Sequence, residues 1–338
     1  MDLPRKRFRS RLAWLLAALL VGGMWRGTTG DLKLSFLDDP RTLEDTCRLL
    51  ERHGISKEAV AAFKRVVEFH NKEGNPVDRS RFPIKRGGYY RFSSVEDFTR
   101  RLARPLYATP GPALTLTCFD VACLLLRGAG RKAGSLEKGF ESKGIVRVTD
   151  DGRAQAVTYE EFRSGFGLLM PAKGYELFVG KPRDEMETRL GLVLRAARRL
   201  SGSLSASREG LEKAFEQYVR RVREDGFEFP RKFKLGLGFY VNLRSRYIVA
   251  DHAFICMPEG GRLVCVEKNG SPGPYVRAEF ESPADLARYV SWSLLEAAKD
   301  PKVKERGNSV LVSLNEELIG VFPSRATPKQ RKAFFRKD

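Results

Sequence analysis

The sequence contains few of the residues that build metal and cofactor sites. It has three histidines and five cysteines, and no two cysteines stand in a Cys-x-x-Cys pair. Structural zinc sites use four Cys or His ligands, commonly in closely spaced pairs. Gly236 and Gly238 are not followed by a helix start, so they do not form a phosphate-binding loop. We therefore expect neither a bound metal nor an organic cofactor.

The amino terminus lacks an apolar run of the length that usually spans a membrane. Residues 12–25 are apolar, but a spanning helix needs roughly 20 residues. Five basic residues precede this run, namely Arg5, Lys6, Arg7, Arg9 and Arg11. A basic start, a short apolar run and small polar residues up to Gly30 are typical of a signal peptide. We expect residues 1–30 to be a signal peptide or an N-terminal membrane anchor, and the protein to be secreted, periplasmic or in the cell envelope.

Acidic residues are too few to balance the basic ones. The formal net charge is +19, and it falls to +14 without residues 1–30, which hold six Lys or Arg and one Asp. For an exported protein this excess favours an anionic surface or polymer as partner, and not a specific nucleic acid. Six arginines on two predicted helices could form such a patch, or could simply be solvated: Arg195, Arg198, Arg199, Arg220, Arg221 and Arg223.

Hydrophobic periodicity predicts an α+β fold. We expect helices over residues 42–53, 57–72, 94–102, 118–127, 186–200, 211–222 and 283–298, and strands over 233–243, 247–257, 310–314 and 318–322. A hairpin with Asp151-Gly152 at its turn and a helix over 159–166 are also expected. This gives a helical lead-in at 31–75, a domain at 76–323 with a helical insertion around 183–226, and a loose basic tail at 324–338.

Five cysteines are an odd number for an exported protein, so at least one should be free. Cys256 with Cys265 could form one disulfide and Cys47 with Cys123 another, although Cys47 and Cys123 are more simply buried apolar residues. Cys118 is the expected reactive thiol. It stands between a strand-like run at 114–117 and an apolar helix, with Thr117 as N-cap and Asp120 at the third helical position. The positive end of a helix stabilises a thiolate.

The partner for this thiol is expected in a hairpin far along the chain. Gly260-Gly261 is a two-residue turn between alternating strands. If Glu259 pairs with Arg262, then Cys256 faces Cys265 and Phe254 faces Glu267. The same register places Asn269 opposite His252 and Glu267 diagonal to it. His70 lies on an apolar helical stripe and His53 at a helix end, which leaves His252 as the candidate base.

These two segments resemble the motifs of the transglutaminase-like superfamily. The stretch TCFDVACLLLRGAGRKAG contains the Cys-x-Asp-x-Ala-x-Leu pattern of its nucleophile helix, and His252-Ala253-Phe254 matches the start of its histidine strand. Glu267 stands where the family usually has Asp, and Lys268 where it usually has Pro. The resemblance implies a papain/transglutaminase-like core in which the nucleophile helix packs on an antiparallel sheet. It also implies a catalytic Cys118 and His252, with Glu267 or the papain-like alternative Asn269 orienting the imidazole.

The expected function is therefore cysteine-dependent acyl transfer on protein or peptide amides. The resemblance implies hydrolysis by a peptidase or amidase more than crosslinking by a transglutaminase, because that is the commoner activity among bacterial-looking relatives of the superfamily. Tyr89, Tyr90 and Tyr107 are candidates for an oxyanion donor, as is the backbone N–H of Cys118; no glutamine precedes Cys118. The alternative is a non-catalytic exported binding or scaffold protein in which Cys118 and His252 are structural.

Overall fold

The described chain contains both helices and strands, with four consecutive strands between residues 234 and 280. The computed structural model describes residues 31–74, 77–108, 116–127, 145–148, 154–156, 179, 190–191, 193–243, 246–270, 273–297 and 309–323. Its helices are α1 (Pro40–Arg52), α2 (Lys57–Glu73), α3 (Val95–Arg101), α4 (Cys118–Leu126), α5 (Arg208–Glu224) and α6 (Pro283–Ala297). Its strands are β1 (Leu32–Ser35), β2 (Tyr90–Phe92), β3 (Ile145–Val148), β4 (Ala154–Ala156), β5 (Ala197–Arg199), β6 (Lys234–Asn242), β7 (Tyr247–Glu259), β8 (Arg262–Lys268), β9 (Tyr275–Phe280), β10 (Ser309–Leu314) and β11 (Glu317–Phe322).

The strands form an open antiparallel sheet in the order β11-β10-β6-β7-β8-β9-β1-β2. Strand β5 pairs with β7 and with β3, and β3 pairs with β4. The expectation of helices combined with an antiparallel sheet is thereby confirmed. Its finer part, a papain/transglutaminase-like core, is taken up under the proposed function.

Helices cover both faces of this sheet. On one face, α1, α2, α4 and α5 share a hydrophobic core with the side chains of β6, β7 and β8 that point toward them. On the other face, α3 and α6 pack with β1, β2 and β9. The two helical layers bury both surfaces of the central strands, so β6 contains a continuous buried run after its first residue.

The hairpin of β7 and β8 has the register expected from its turn. Gly260 and Gly261 have φ values of 58° and 76°, as a type I′ turn requires. Glu259 pairs with Arg262, Cys256 with Cys265 and Phe254 with Glu267. Two glycines of β6, the neighbouring strand, leave room for side chains that pack over them. A Cβ on Gly236 would lie 2.0 Å from the Phe254 ring, and one on Gly238 would lie 2.8 Å from Leu294 of α6.

Several predicted elements differ from the structure. The pattern at 186–200 predicts one helix, but its end forms strand β5, because these residues pair with β7 at the sheet margin. Strands β1, β2 and β9 were not predicted, and β1 lies between β9 and β2, so residues 31–75 are more than a helical lead-in. Leu116 and Thr117 do not form a strand.

Some predictions fall outside the described residues: the signal peptide or anchor at 1–30, the hairpin turn at 151–152, the helix at 159–166 and the tail at 324–338. The five cysteines are buried and none is in a disulfide, so neither suggested disulfide is formed. Across the parts of the chain that are described, every helix is too short or too polar to traverse a lipid bilayer.

Candidate active site

Cys118 is the first residue of α4, and a complete capping box is formed at the start of this helix. The hydroxyl of Thr117 accepts a hydrogen bond from the backbone N–H of Asp120 (3.2 Å), and the Asp120 carboxylate accepts one from the backbone N–H of Thr117 (2.8 Å). The box fixes the first turn, so the positive end of the helix is held at the thiol. The helix packs against β7 and β8, and Cys118 keeps 7% of its surface exposed.

His252 reaches this thiol from β7. The register between β6 and β7 shifts at this point: Gly238 pairs with His252, but Phe239 pairs with Ala250, so Asp251 is an extra residue. Such a bulge bends a strand and redirects its side chains. The Asp251 carbonyl oxygen lies 4.0 Å from the Cys118 sulfur, and Cys118 is close enough to the His252 ring to raise its pKa.

Glu267 of β8 holds the other side of the imidazole. Its Oε2 lies 2.6 Å from Nε2 of His252, which leaves Nδ1 as the ring nitrogen for the thiol. Its Oε1 accepts hydrogen bonds from the Tyr289 hydroxyl (2.5 Å) and from the Asn269 amide (2.8 Å). All three partners of the carboxylate are buried. The carboxylate is thus fixed in position before any substrate arrives.

The protonation state of His252 follows from these contacts. Burial lowers the pKa of the ring, but the hydrogen bonds to Cys118 and Glu267 and the charges of both groups outweigh it and raise the pKa to about 10. Burial and the neighbouring Glu267 carboxylate raise the pKa of Tyr289 well above its ordinary value, so its hydroxyl stays a donor. The ring is therefore an imidazolium at neutral pH, suited to stabilise a thiolate and to protonate a leaving group.

The structure brings together all four residues singled out from the sequence: Cys118, His252, Glu267 and Asn269. It separates the roles of the last two, because Glu267 contacts the imidazole and Asn269 contacts Glu267. Register counted back from the turn places Asn269 opposite His252, but β8 ends at Lys268 before that pair forms.

Tyr289 is the member of this network that the sequence did not reveal. Tyr289 lies on the apolar stripe of helix α6, where the sequence pattern predicts a core residue. The Tyr289 ring does pack against Phe98 and Phe280. Only its hydroxyl belongs to the site. Of the three suggested oxyanion tyrosines, Tyr107 is the one beside the loop that follows Asn269, where it contacts Gly270. Tyr89 lies against Arg277, and Tyr90 against Phe36 and Phe82.

The arginines expected to form a patch have different surroundings. Arg198 is buried in an ion pair with Asp225 at 2.6 Å, so its expected place on an outer helix face is wrong. Arg195 lies over the ring of Phe119, next to Cys118. Arg221 and Arg223 pair with Glu224 and Glu316. These contacts neutralise part of the surface that a polyanion would need.

Within the described residues, no group of His, Cys, Asp and Glu has the arrangement of a metal site. No protein-family model matches the chain, and no curated protein or solved structure matches it either.

Proposed function

We propose that this chain is a cysteine-dependent acyl-transfer enzyme, acting as a peptidase or amidase on protein or peptide amides. One observation carries the proposal. A thiol at a capped helix start lies beside the strand residue that carries an imidazole, and one nitrogen of that imidazole is held by a buried, fully hydrogen-bonded carboxylate. Nucleophile, base and orienting group in this sequence of contacts are the parts of a cysteine triad.

The chemistry balances without any cofactor. The Cys118 thiolate attacks the carbonyl carbon of an amide, and the carbon–nitrogen bond breaks as His252 gives its proton to the leaving amine. The now neutral His252 then takes a proton from water, and the resulting hydroxide hydrolyses the thioester, which releases the acid and regenerates the thiolate–imidazolium pair. The backbone N–H of Cys118 is at the helix start, where such groups have no intrahelical acceptor, and would face the developing oxyanion.

The resemblance of the Cys118 and His252 motifs to the transglutaminase-like superfamily supports the same class of reaction. In that superfamily an Asp usually orients the catalytic histidine. Glu267 takes the position of this Asp and would have the same role, since it holds Nε2 of His252. An amine acceptor in place of water would make the enzyme a crosslinking transglutaminase. Export through residues 1–30 and contact with anionic surfaces belong to this proposal as well.

Thiol alkylation tests the proposal without a known substrate. We expect iodoacetamide to modify Cys118 of the native full chain fastest at neutral pH, as mapped by mass spectrometry. His252→Gln should slow this modification at least tenfold, because the thiolate loses its cationic partner. Cys118→Ala should abolish the fast phase and also the cleavage of a peptide-amide library. Cys123→Ala, on the same helix but fully buried, is the matched control and should change neither.

If Cys118 reacts only when the protein unfolds, the proposal is wrong. The non-catalytic binding or scaffold protein is then the better description. If the fast phase is present but His252→Gln leaves it unchanged, the triad is wrong even though the thiol is reactive.

A further inference from the structure

Lys268 is a buried lysine close to the candidate site. It is the last residue of β8, pairs with Tyr275 of β9 and is 0% exposed. Its ammonium donates to the Gly273 carbonyl oxygen and lies 5.0 Å from the centre of the Tyr275 ring. Among the described residues no carboxylate forms an ion pair with it, which is unusual because buried lysines are normally paired.

The position of Lys268 in the sheet places it in the same layer as Cys118. Successive residues of a strand point to opposite faces, so Lys268 points away from the face that Glu267 shares with Tyr289. Its strand partner Tyr275 belongs to the core that contains Cys118 and the apolar face of α2. The thiol thus has His252 and Glu267 on one side and Lys268 in the layer of α2 and α4.

Among the described titratable groups around Lys268, Cys118 is the one whose charge favours the ammonium form. Burial is the largest influence and lowers the pKa of Lys268 to about 7, and the charge of Cys118 opposes that effect. His70 of α2 is buried, stacks edge-on against Tyr275 and has its pKa lowered to about 3 by burial and then by Lys268, so it stays neutral. Burial and then the charge of Asp120 raise the pKa of Tyr275, so its phenol is neutral too.

We propose that Lys268 is a positioning residue for Cys118, whose buried ammonium supplies a second positive charge that stabilises the thiolate in addition to His252. This inference rests on the proposed function. The influence is mutual, since a thiolate at Cys118 favours the charged lysine as much as the charged lysine favours the thiolate. Helix dipole, imidazolium and ammonium then act on one sulfur atom from different directions.

The test is the pH profile of iodoacetamide alkylation at Cys118 in the native full chain. Lys268→Met should move the midpoint of the profile upward by roughly one pH unit, because a neighbouring charge is lost. Lys268→Arg, which keeps the positive charge, should have a midpoint close to that of the wild type. Lys234→Met, which removes a lysine at the start of β6, is the matched control and should leave the midpoint unchanged. Circular dichroism and thermal melting verify that each variant is folded.

The outcomes separate this inference from the proposed function. If the wild type shows no fast alkylation, the proposed function fails and this inference fails with it. If the wild type alkylates fast and His252→Gln slows it, but Lys268→Met keeps the wild-type midpoint, only the role of Lys268 is wrong. In that case the lysine merely ties β8 to the loop at Gly273, and its loss lowers the melting temperature alone.

A second measurement leaves Lys268 in place, in case its variants do not fold. Cys118→Ser removes the negative charge, so the titration of Lys268 followed by NMR of 13C-labelled lysine should move to lower pH than in the wild type. Cys123→Ser should leave it unchanged. An unaltered lysine titration in Cys118→Ser overturns the inference.

Discussion

Glu267 is the residue on which the candidate site depends most. A buried carboxylate is stable only when its oxygens are hydrogen-bonded or paired. Here Oε2 is paired with His252 at 2.6 Å, while Oε1 accepts from Tyr289 and Asn269. Three strands or helices, β7, β8 and α6, therefore converge on one carboxylate. Such a group sets both the orientation and the charge of the imidazole.

The charge of Glu267 should be visible in the titration of His252. Glu267→Gln keeps the size of the side chain but removes its negative charge, so the pKa of His252 should fall from about 10 toward its ordinary value. The measurement is 15N NMR of histidine-labelled protein, in which only three imidazoles appear. His70, neutral because burial lowers its pKa to about 3, provides an internal reference.

The raised pKa of His252 also determines how the stability of the fold depends on pH. The pKa of His252 is higher in the folded chain than in the unfolded one, where histidine has its ordinary pKa of 6.5. Its stabilising contribution is thus fully present below that pH and is lost as the pH rises through about 10. Glu267→Gln should reduce this loss. An unchanged His252 titration in the variant would show that the carboxylate does not control the imidazole.

At the scale of elements, the N-terminus of α4 links helix capping to thiol chemistry. Thr117→Ala removes the acceptor for the Asp120 N–H, at a cost of ~1 kcal/mol in the free energy of unfolding. Because the frayed turn also carries Cys118, iodoacetamide alkylation should slow in parallel. Ser207→Ala removes the equivalent cap of α5, where Ser207 accepts from the Gly210 N–H at 3.2 Å. It should cost similar stability but leave Cys118 reactivity unchanged, and equal effects of both variants on the thiol would refute the link.

Local signals in the sequence suffice for some of these elements. Thr117 and Asp120 predict the start of α4, and Gly260-Gly261 predicts the register of the hairpin, because caps and tight turns are decided by neighbouring residues. Strand β5 is different. Ala197 and Leu200 fit a helical pattern, but pairing with β7 and β3 overrides it, and such pairing is invisible without the fold. The bulge at Asp251, where β7 has one more residue than β6, likewise depends on strand pairing that local sequence does not show.

At the scale of the whole molecule, a buried ion pair connects one helical layer to the margin of the sheet. Arg198 of β5 and Asp225, the C-cap of α5, lie 2.6 Å apart and are 2% and 3% exposed. Strand β5 pairs with β7, which carries His252. The pair thus helps to place the α5 layer against the strand that holds the candidate base.

The attraction between Arg198 and Asp225 only partly offsets the free-energy cost of removing both charges from water. Burial raises the pKa of Asp225, against the lowering influence of Arg198. Arg198 also donates to the Val193 carbonyl oxygen at 3.0 Å. Removing one partner should therefore leave an unmatched buried charge, while removing both should not.

A double-mutant cycle measures this difference. Asp225→Leu or Arg198→Met alone should lower the free energy of unfolding by ~3–5 kcal/mol, because the remaining charge stays buried. The double variant should recover most of that loss. Denaturant unfolding provides the free energies, and Arg208→Ala, which breaks the exposed Arg208–Glu212 pair on α5, should cost less than ~1 kcal/mol. If either single variant lowers the free energy of unfolding as little as Arg208→Ala does, Arg198 and Asp225 reach water. The α5 layer is then held by apolar packing instead.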